Sequence, residues 1–465
     1  MNHKKLLLTL TLCLCALLCM VVTASASEVQ EHSHPICGAT HTNIGDHTGT
    51  CEDVTWTAWD GTSEIAYDST TKTAYIYLAD NVQISDALTI PQGHTLYLCL
   101  NGHDIIRTGN LIQIQEDASF TLCDCKGDKA EYGKLDSNKG GRAVSFGGSK
   151  TGTFTMYGGI ITGGNVTGNS GGGVFVGDKK TFTMYGGTIT GNSARYTGGG
   201  VVVYGAFNMY GGAITGNSAQ EGGGGVAAHG TFNMYGGAIT DNTCNGSYNG
   251  GGVYVKNGTW STGAITLSGS VQIKDNYKGS NSNKKPSNLY LTNNKEIAVE
   301  GSLTGSSIGV TTATEPSTGS NVTFAVGSEN TITTGIFTPD TAGVLVGVAA
   351  DGTSAYLYKC SHVYEWAYDE EYHWKKCTNV GCDSVEAGSK IAHTWDYPAN
   401  YNNPKTCVCG ATQGEPLTRS YYYYAPSAAE DKKDSPKTAD PGVLLYAGLA
   451  LASLTGLACT AKKRH

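Results

Sequence analysis

The tetrapeptide Met-Tyr-Gly-Gly occurs at Met156, Met184, Met209 and Met234, at spacings of 28, 25 and 25 residues. Gly-Gly-Gly-Val recurs in phase with it, placing Val174, Val201, Val226 and Val253 at equivalent points. Such a period constrains the fold more than any other feature of the chain. One unit is too small to bury a core alone, so successive units must stack like on like. Helical repeats would need amphipathic stretches of ten or more residues, and the units contain none. Short alternating runs between Gly-rich turns predict β-strands instead, one coil of a solenoid per repeat.

Period-two alternation assigns the faces. Phe154, Phe182, Phe207 and Phe232 point inward, as do the four methionines two positions later and Ile161, Ile189, Ile214 and Ile239. Tyr157, Tyr185, Tyr210 and Tyr235 follow the inward methionines and are expected to point outward, beside a ladder of threonines. Asn192, Asn217 and Asn242 recur after the Ile-Thr strand, where stacked side-chain amides are expected to bond from coil to coil. Hydrophobic residues at 39% exclude a disordered chain, and a charged fraction of 15% with 64 Gly and 27 Tyr fits β-turn-rich structure. A net charge of −8 without a basic stripe argues against nucleic acid as a partner.

The repeat resembles right-handed parallel β-helices of the pectin-lyase-like class, especially the Gly-Gly-x-Ile-x-x-Asn repeats of bacterial surface proteins. The resemblance extends over roughly residues 75–358. It takes in the opening stretch Leu88–His103, a degraded copy at Ile265–Asn276, and Leu289-Tyr290-Leu291 in place of Gly-Gly-Gly-Val-x-Val. It implies an all-β solenoid of about eleven coils, with atypical units capping its ends.

Many β-helices of this class cleave polysaccharides, which requires a particular set of residues. A lyase needs a base and usually a Ca²⁺-binding carboxylate cluster, whereas a glycosidase needs two facing carboxylates. Between residues 151 and 260 the carboxylates are Asp178, Glu221 and Asp241, scattered over different turns, with His229 and Arg195 each alone of its type. Asp104, Arg107, Glu116, Asp117 and Asp124 are denser, in the opening coils, where the adjacent Glu116-Asp117 before a small-residue turn reads as a solvated loop. No catalytic residue is assigned. The function expected is a non-catalytic adhesin that binds a glycan or a protein through Tyr157, Tyr185, Tyr210 and Tyr235. The alternatives are a surface polysaccharide lyase or hydrolase, and a structural surface spacer.

The ends suggest an address. Residues 1–26 read as a secretory signal: Lys4 and Lys5, the apolar run Leu6–Val22, then Ala24-Ser25-Ala26 with cleavage between Ala26 and Ser27. At the other end, Ser435-Pro436-Lys437-Thr438-Ala439 precedes an apolar transmembrane segment at 443–459 and the basic Lys462-Lys463-Arg464. That order resembles the LPxTG-like cell-wall sorting signal of Gram-positive sortase substrates, with Ser435 for Leu and Ala439 for Gly. The resemblance implies sortase and peptidoglycan as partners, with cleavage after Thr438 and covalent attachment there. Processing would leave 26 basic and 38 acidic side chains, an acidic surface that disfavours polyanionic ligands.

The expected organisation is a signal peptide at 1–26, an N-terminal Cys/His segment at 27–60 and a β-helix at 61–358. A C-terminal Cys/His module at 359–413, a linker at 414–434 and a sorting signal at 435–465 follow. In the N-terminal segment Cys37 and Cys51 bracket His41 and His47, with His32 and His34 upstream. Cys99, Cys123 and Cys125 lie on neighbouring strands about one coil apart, and Cys99 is expected to stack in the core with one of the other two. The set Cys360, His362, His373, Cys377, Cys382, His393, Cys407 and Cys409 resembles small Cys/His modules of Gram-positive surface proteins. No cofactor is required, but Cys377, Cys382, Cys407 and Cys409 offer a Zn²⁺ site; disulfides or free thiols are the alternatives.

Overall fold

The computed structural model describes residues 32–36 and 53–418, except 127–131, 247–248, 259–261, 281–282, 380–381, 383, 396 and 401. The expected signal cleavage at Ala26–Ser27, the sorting motif Ser435–Ala439, the segment 443–459, and Cys37, His41, His47 and Cys51 lie outside the described residues. The chain divides into two compact units. The larger runs to Asp369 and also takes in His373–Ile391, and the smaller comprises Glu370–Tyr372 and the chain from Ala392 onward.

The larger unit is built on a 29-stranded sheet, and no α-helix occurs among the described residues. Its strands form three parallel ladders, each gaining one strand per coil, which is the pairing of a β-helix. In the first ladder eleven described strands, from Thr57–Trp59 to Val322–Gly327, pair in parallel with their predecessors. The β-helix therefore begins at Thr57, inside the segment expected to be a separate Cys/His region. Repeat phase sets the register: Phe154 pairs with Phe182, Phe182 with Phe207, and Phe207 with Phe232.

Along that line the Phe120, Phe154, Phe182, Phe207 and Phe232 rings stack at centroid distances of 4.6–5.2 Å, close to the strand spacing of a sheet. The four repeat methionines and four repeat isoleucines are also fully buried, within one apolar core that runs from Trp59 to Leu357. Each such side chain contributes about 1.5–3 kcal/mol of apolar burial. Glycine is needed where coils approach most closely: a Cβ on Gly199 would lie 2.6 Å from the Gly224 carbonyl oxygen. At its last coil the parallel pattern ends. Ser354–Lys359 pairs antiparallel with both Val322–Gly327 and Val344–Val348, covering the terminal strand edge.

Beyond Lys359 the larger unit adds a hairpin in which Tyr364–Tyr368 pairs antiparallel with His373–Cys377. The smaller unit contains a two-stranded pairing of Lys405–Thr406 with Thr412–Gln413.

Candidate functional site

The tyrosines expected on the outer face stand there in register. Neighbouring rings of Tyr157, Tyr185, Tyr210 and Tyr235 are stacked 4.8–5.0 Å apart, with interplanar angles of 8–20°. All four are half-buried. The stacking alters the chemistry that the sequence suggested. Both faces of Tyr185 and of Tyr210 are covered by neighbouring rings, so these residues offer a ligand ring edges and hydroxyls. Burial raises the phenol pKa of Tyr185 and Tyr235, with neighbouring phenols adding to it, which keeps these hydroxyls neutral. On the adjoining strand Thr240 Oγ1 donates to Thr215 Oγ1 at 3.4 Å, so hydroxyls repeat there from coil to coil as well.

A shallow polar groove of about 320 Å³, which the sequence had not indicated, follows another turn of the same coils. Asn165, Ser193, Arg195, Ser218, Gln220 and Asn245 line it. Asn165 pairs with Ser193 and Ser193 with Ser218 in a minor ladder of two-residue strands. The repeat carries the signal for this ladder in its Asn-Ser-Ala step, but its surface exposure depends on the turn geometry.

The acidic residues of the opening coils are engaged by backbone amides and neighbouring side chains of their turns. Asp124 is buried and accepts from the amides of Gly102, Lys126 and Gly133. Glu116 accepts from Ser149 N, Asp117 accepts from Thr151 Oγ1, and Lys150 lies within 3.8 Å of both carboxylates. Arg107 donates to the Ser85 and Asn110 carbonyl oxygens.

In the C-terminal region the cysteines group differently from the sequence expectation. Cys377 and Cys382 gather with Cys360 and His362, all four ligand atoms lying within 4.8 Å of one another. The hairpin accounts for this: Tyr364 pairs with Cys377, which returns Cys377 to the start of the strand that Cys360 and His362 precede. Cys360 Sγ and Cys377 Sγ are 3.6 Å apart, and Cys382 Sγ is 3.3 Å from His362 Nδ1. Cys407 and Cys409 gather instead with His393 of their own unit, where Cys409 Sγ is 3.5 Å from His393 Nδ1. His373 is buried with its ring edge-on to Trp366.

Tetrahedral Zn²⁺ with Zn–N near 2.0–2.1 Å and Zn–S near 2.3 Å separates its ligand atoms by about 3.3–3.8 Å, so these donor sets fit the ion. Burial resists ionisation of Cys377, but the Asn379 amide and the His362 ring outweigh it and lower the thiol to about 6. Burial likewise opposes ionisation of Cys407, which the Cys409 amide and His393 bring down to about 6. Low thiol pKa values favour the thiolate that a metal requires. No disulfide joins the described cysteines.

Cys99 and Cys123 do stack one coil apart, as expected, but on the outer side of the strand. They form a small second core with Trp56, separate from the main one. No family model, curated protein or solved structure matches this chain, so its architecture rests on its own strand pairing.

Proposed function

We propose that this chain is an exported adhesin of a Gram-positive wall, with a right-handed, pectin-lyase-like β-helix that binds an extended glycan without cleaving it. The signal-like segment and the sorting-like order of motif, apolar segment and basic tail support export, sortase processing at Thr438 and attachment to peptidoglycan. The observation that carries the binding reading is the ladder of Tyr157, Tyr185, Tyr210 and Tyr235. It repeats hydroxyls and aromatic edges every 4.8–5.0 Å, close to the rise per sugar of an extended polysaccharide. An acidic processed chain favours neutral glycans over polyanions.

The test is equilibrium binding of the processed chain to a panel of neutral and anionic polysaccharides, beside a variant with alanine at all four tyrosines and a second carrying Arg195→Ala. The expected result is at least tenfold weaker binding in the tyrosine variant with unchanged circular dichroism, and no new reducing ends or unsaturated products. Loss in R195A alone would move the site to the polar groove. Absence of binding to every glycan would overturn the reading in favour of a protein ligand or a spacer.

A further inference from the structure

The outward row that carries the tyrosine ladder continues towards the N-terminus through Cys123 and Cys99 to Tyr77. There the row is covered. The strand Ser33–Pro35 pairs antiparallel with Asp53–Thr55, and Trp56 fastens the pair by donating its backbone N–H to the His32 carbonyl and its Nε1–H to the His34 carbonyl. This segment lies over the cysteines and brings two imidazoles to them. The ligand atoms of His32, His34, Cys99 and Cys125 all fall within 4.8 Å of one another.

The donor geometry is that of a metal centre. His32 Nε2 is 3.1 Å from His34 Nε2 and 3.8 Å from Cys125 Sγ, near the separations of about 3.3–3.8 Å around tetrahedral Zn²⁺. His34 Nδ1 lies 2.6 Å from the Pro35 carbonyl oxygen; donation there leaves the Nε2 lone pair directed at the cluster, as second-shell bonds do for metal-bound histidines. Both rings are held in plane: His32 stacks on Tyr77 at 4.0 Å and His34 on Trp56 at 4.6 Å. Cys99 and Cys125 come from successive coils of the rod, and the histidines from a segment some 93 residues from Cys125 in the chain. A bound ion would therefore tie that segment to the rod.

We propose that His32, His34, Cys99 and Cys125 form a Cys₂His₂ site for Zn²⁺ that clamps the N-terminal segment onto the outer face of the β-helix. Binding releases the protons of the two thiols to solvent and leaves both imidazoles neutral. The site is independent of the glycan-binding reading and of the C-terminal clusters.

The experiment is metal content by mass spectrometry of the processed chain loaded with Zn²⁺. Because the C-terminal clusters are also expected to bind, the comparison is between wild type and Cys125→Ser, and between a variant with serine at Cys377, Cys382, Cys407 and Cys409 and the same variant carrying Cys125→Ser. Each pair should differ by one zinc per chain, so a folding failure in the quadruple variant leaves the first comparison intact. Chelation should raise amide exchange at Ser33, His34 and Asp53–Thr55 while leaving the coils between 152 and 255 protected. Equal zinc content with and without Cys125→Ser would overturn the proposal. So would a Cys99–Cys125 disulfide, seen as a cross-linked peptide pair carrying these two cysteines after digestion without reduction.

Discussion

His229, at the end of the strand Val226–Ala228, is 5% exposed. Its ring stacks on Tyr204 and its Nε2 lies 3.1 Å from Thr197 Oγ1, while Nδ1 has no partner. Burial, with a smaller contribution from the Lys256 charge, lowers its pKa from 6.5 to about 4. Between those values the unfolded chain binds the proton and the folded chain does not. The stability associated with neutral His229 is thus complete above about pH 6.5 and is lost as pH falls towards 4, by an amount on the order of 3 kcal/mol. Urea midpoints at pH 7 and pH 5 should drop more in wild type than in His229→Asn; identical slopes would refute the assignment. The asparagine ladder shows what single residues disclose in sequence. Asn192 donates to Asn217, Asn217 to Asn242 and Asn242 to Asn276, each at 3.0 Å through the side-chain amide. The first three members were legible from their period. The ladder then continues through Asn288 to the half-buried carboxylate of Asp340, an acceptor for both the backbone and side-chain N–H of Asn288. Those last steps span 12 and 52 residues, so no period announces them.

Within the strand Ala206–Met209 and the tyrosine that follows, the two aromatic ladders carry different energies. Phe207 is fully buried between Phe182 and Phe232, and its replacement leaves a cavity that rigid neighbouring coils cannot fill. Tyr210 is half-buried, and its loss removes two stacked pairs worth about 0.2–1 kcal/mol each. Phe207→Ala should cost about 3–5 kcal/mol and Tyr210→Ala roughly 0.5–2 kcal/mol, read from denaturant unfolding monitored by circular dichroism. Comparable costs would mean that the outer ladder is a structural element of the same rank as the core. The strands of the four clear repeats were legible because each inward position recurs at a fixed interval. Ile297–Val299 and Ser307–Thr312 fall where that interval has lapsed, and they are recognised only by the partners they add to. The Cys/His clusters were half legible. Cysteine and histidine content marked the regions, but a hairpin joins Cys377 to Cys360, and a covering segment joins His32 to Cys125. Neither pairing follows a standard zinc-binding spacing.

At the scale of the β-helical unit, a parallel solenoid presents an unpaired strand edge at each end, and an open edge invites another chain. The C-terminal edge, Val322–Gly327, is closed by the antiparallel strand Ser354–Lys359, which Val344–Val348 supports from its other side. Phe324 and Ala325 of that edge are fully buried, and Leu357 of the covering strand is 3% exposed, so the cap completes the core as well as the hydrogen bonding. Removing it should expose both an apolar surface and a row of backbone donors and acceptors, which parallel coils of a second molecule can match. A chain ending at Gly343, which keeps Asp340, is therefore expected to self-associate, while one ending at Lys359 remains monomeric. Light scattering after size exclusion, across a tenfold range of concentration, distinguishes them. Both chains lack everything beyond Lys359, so the contrast isolates the cap. If the shorter chain stays monomeric with its circular dichroism intact, edge protection is not what the hairpin supplies, and its contribution is confined to covering Phe324 and its neighbours.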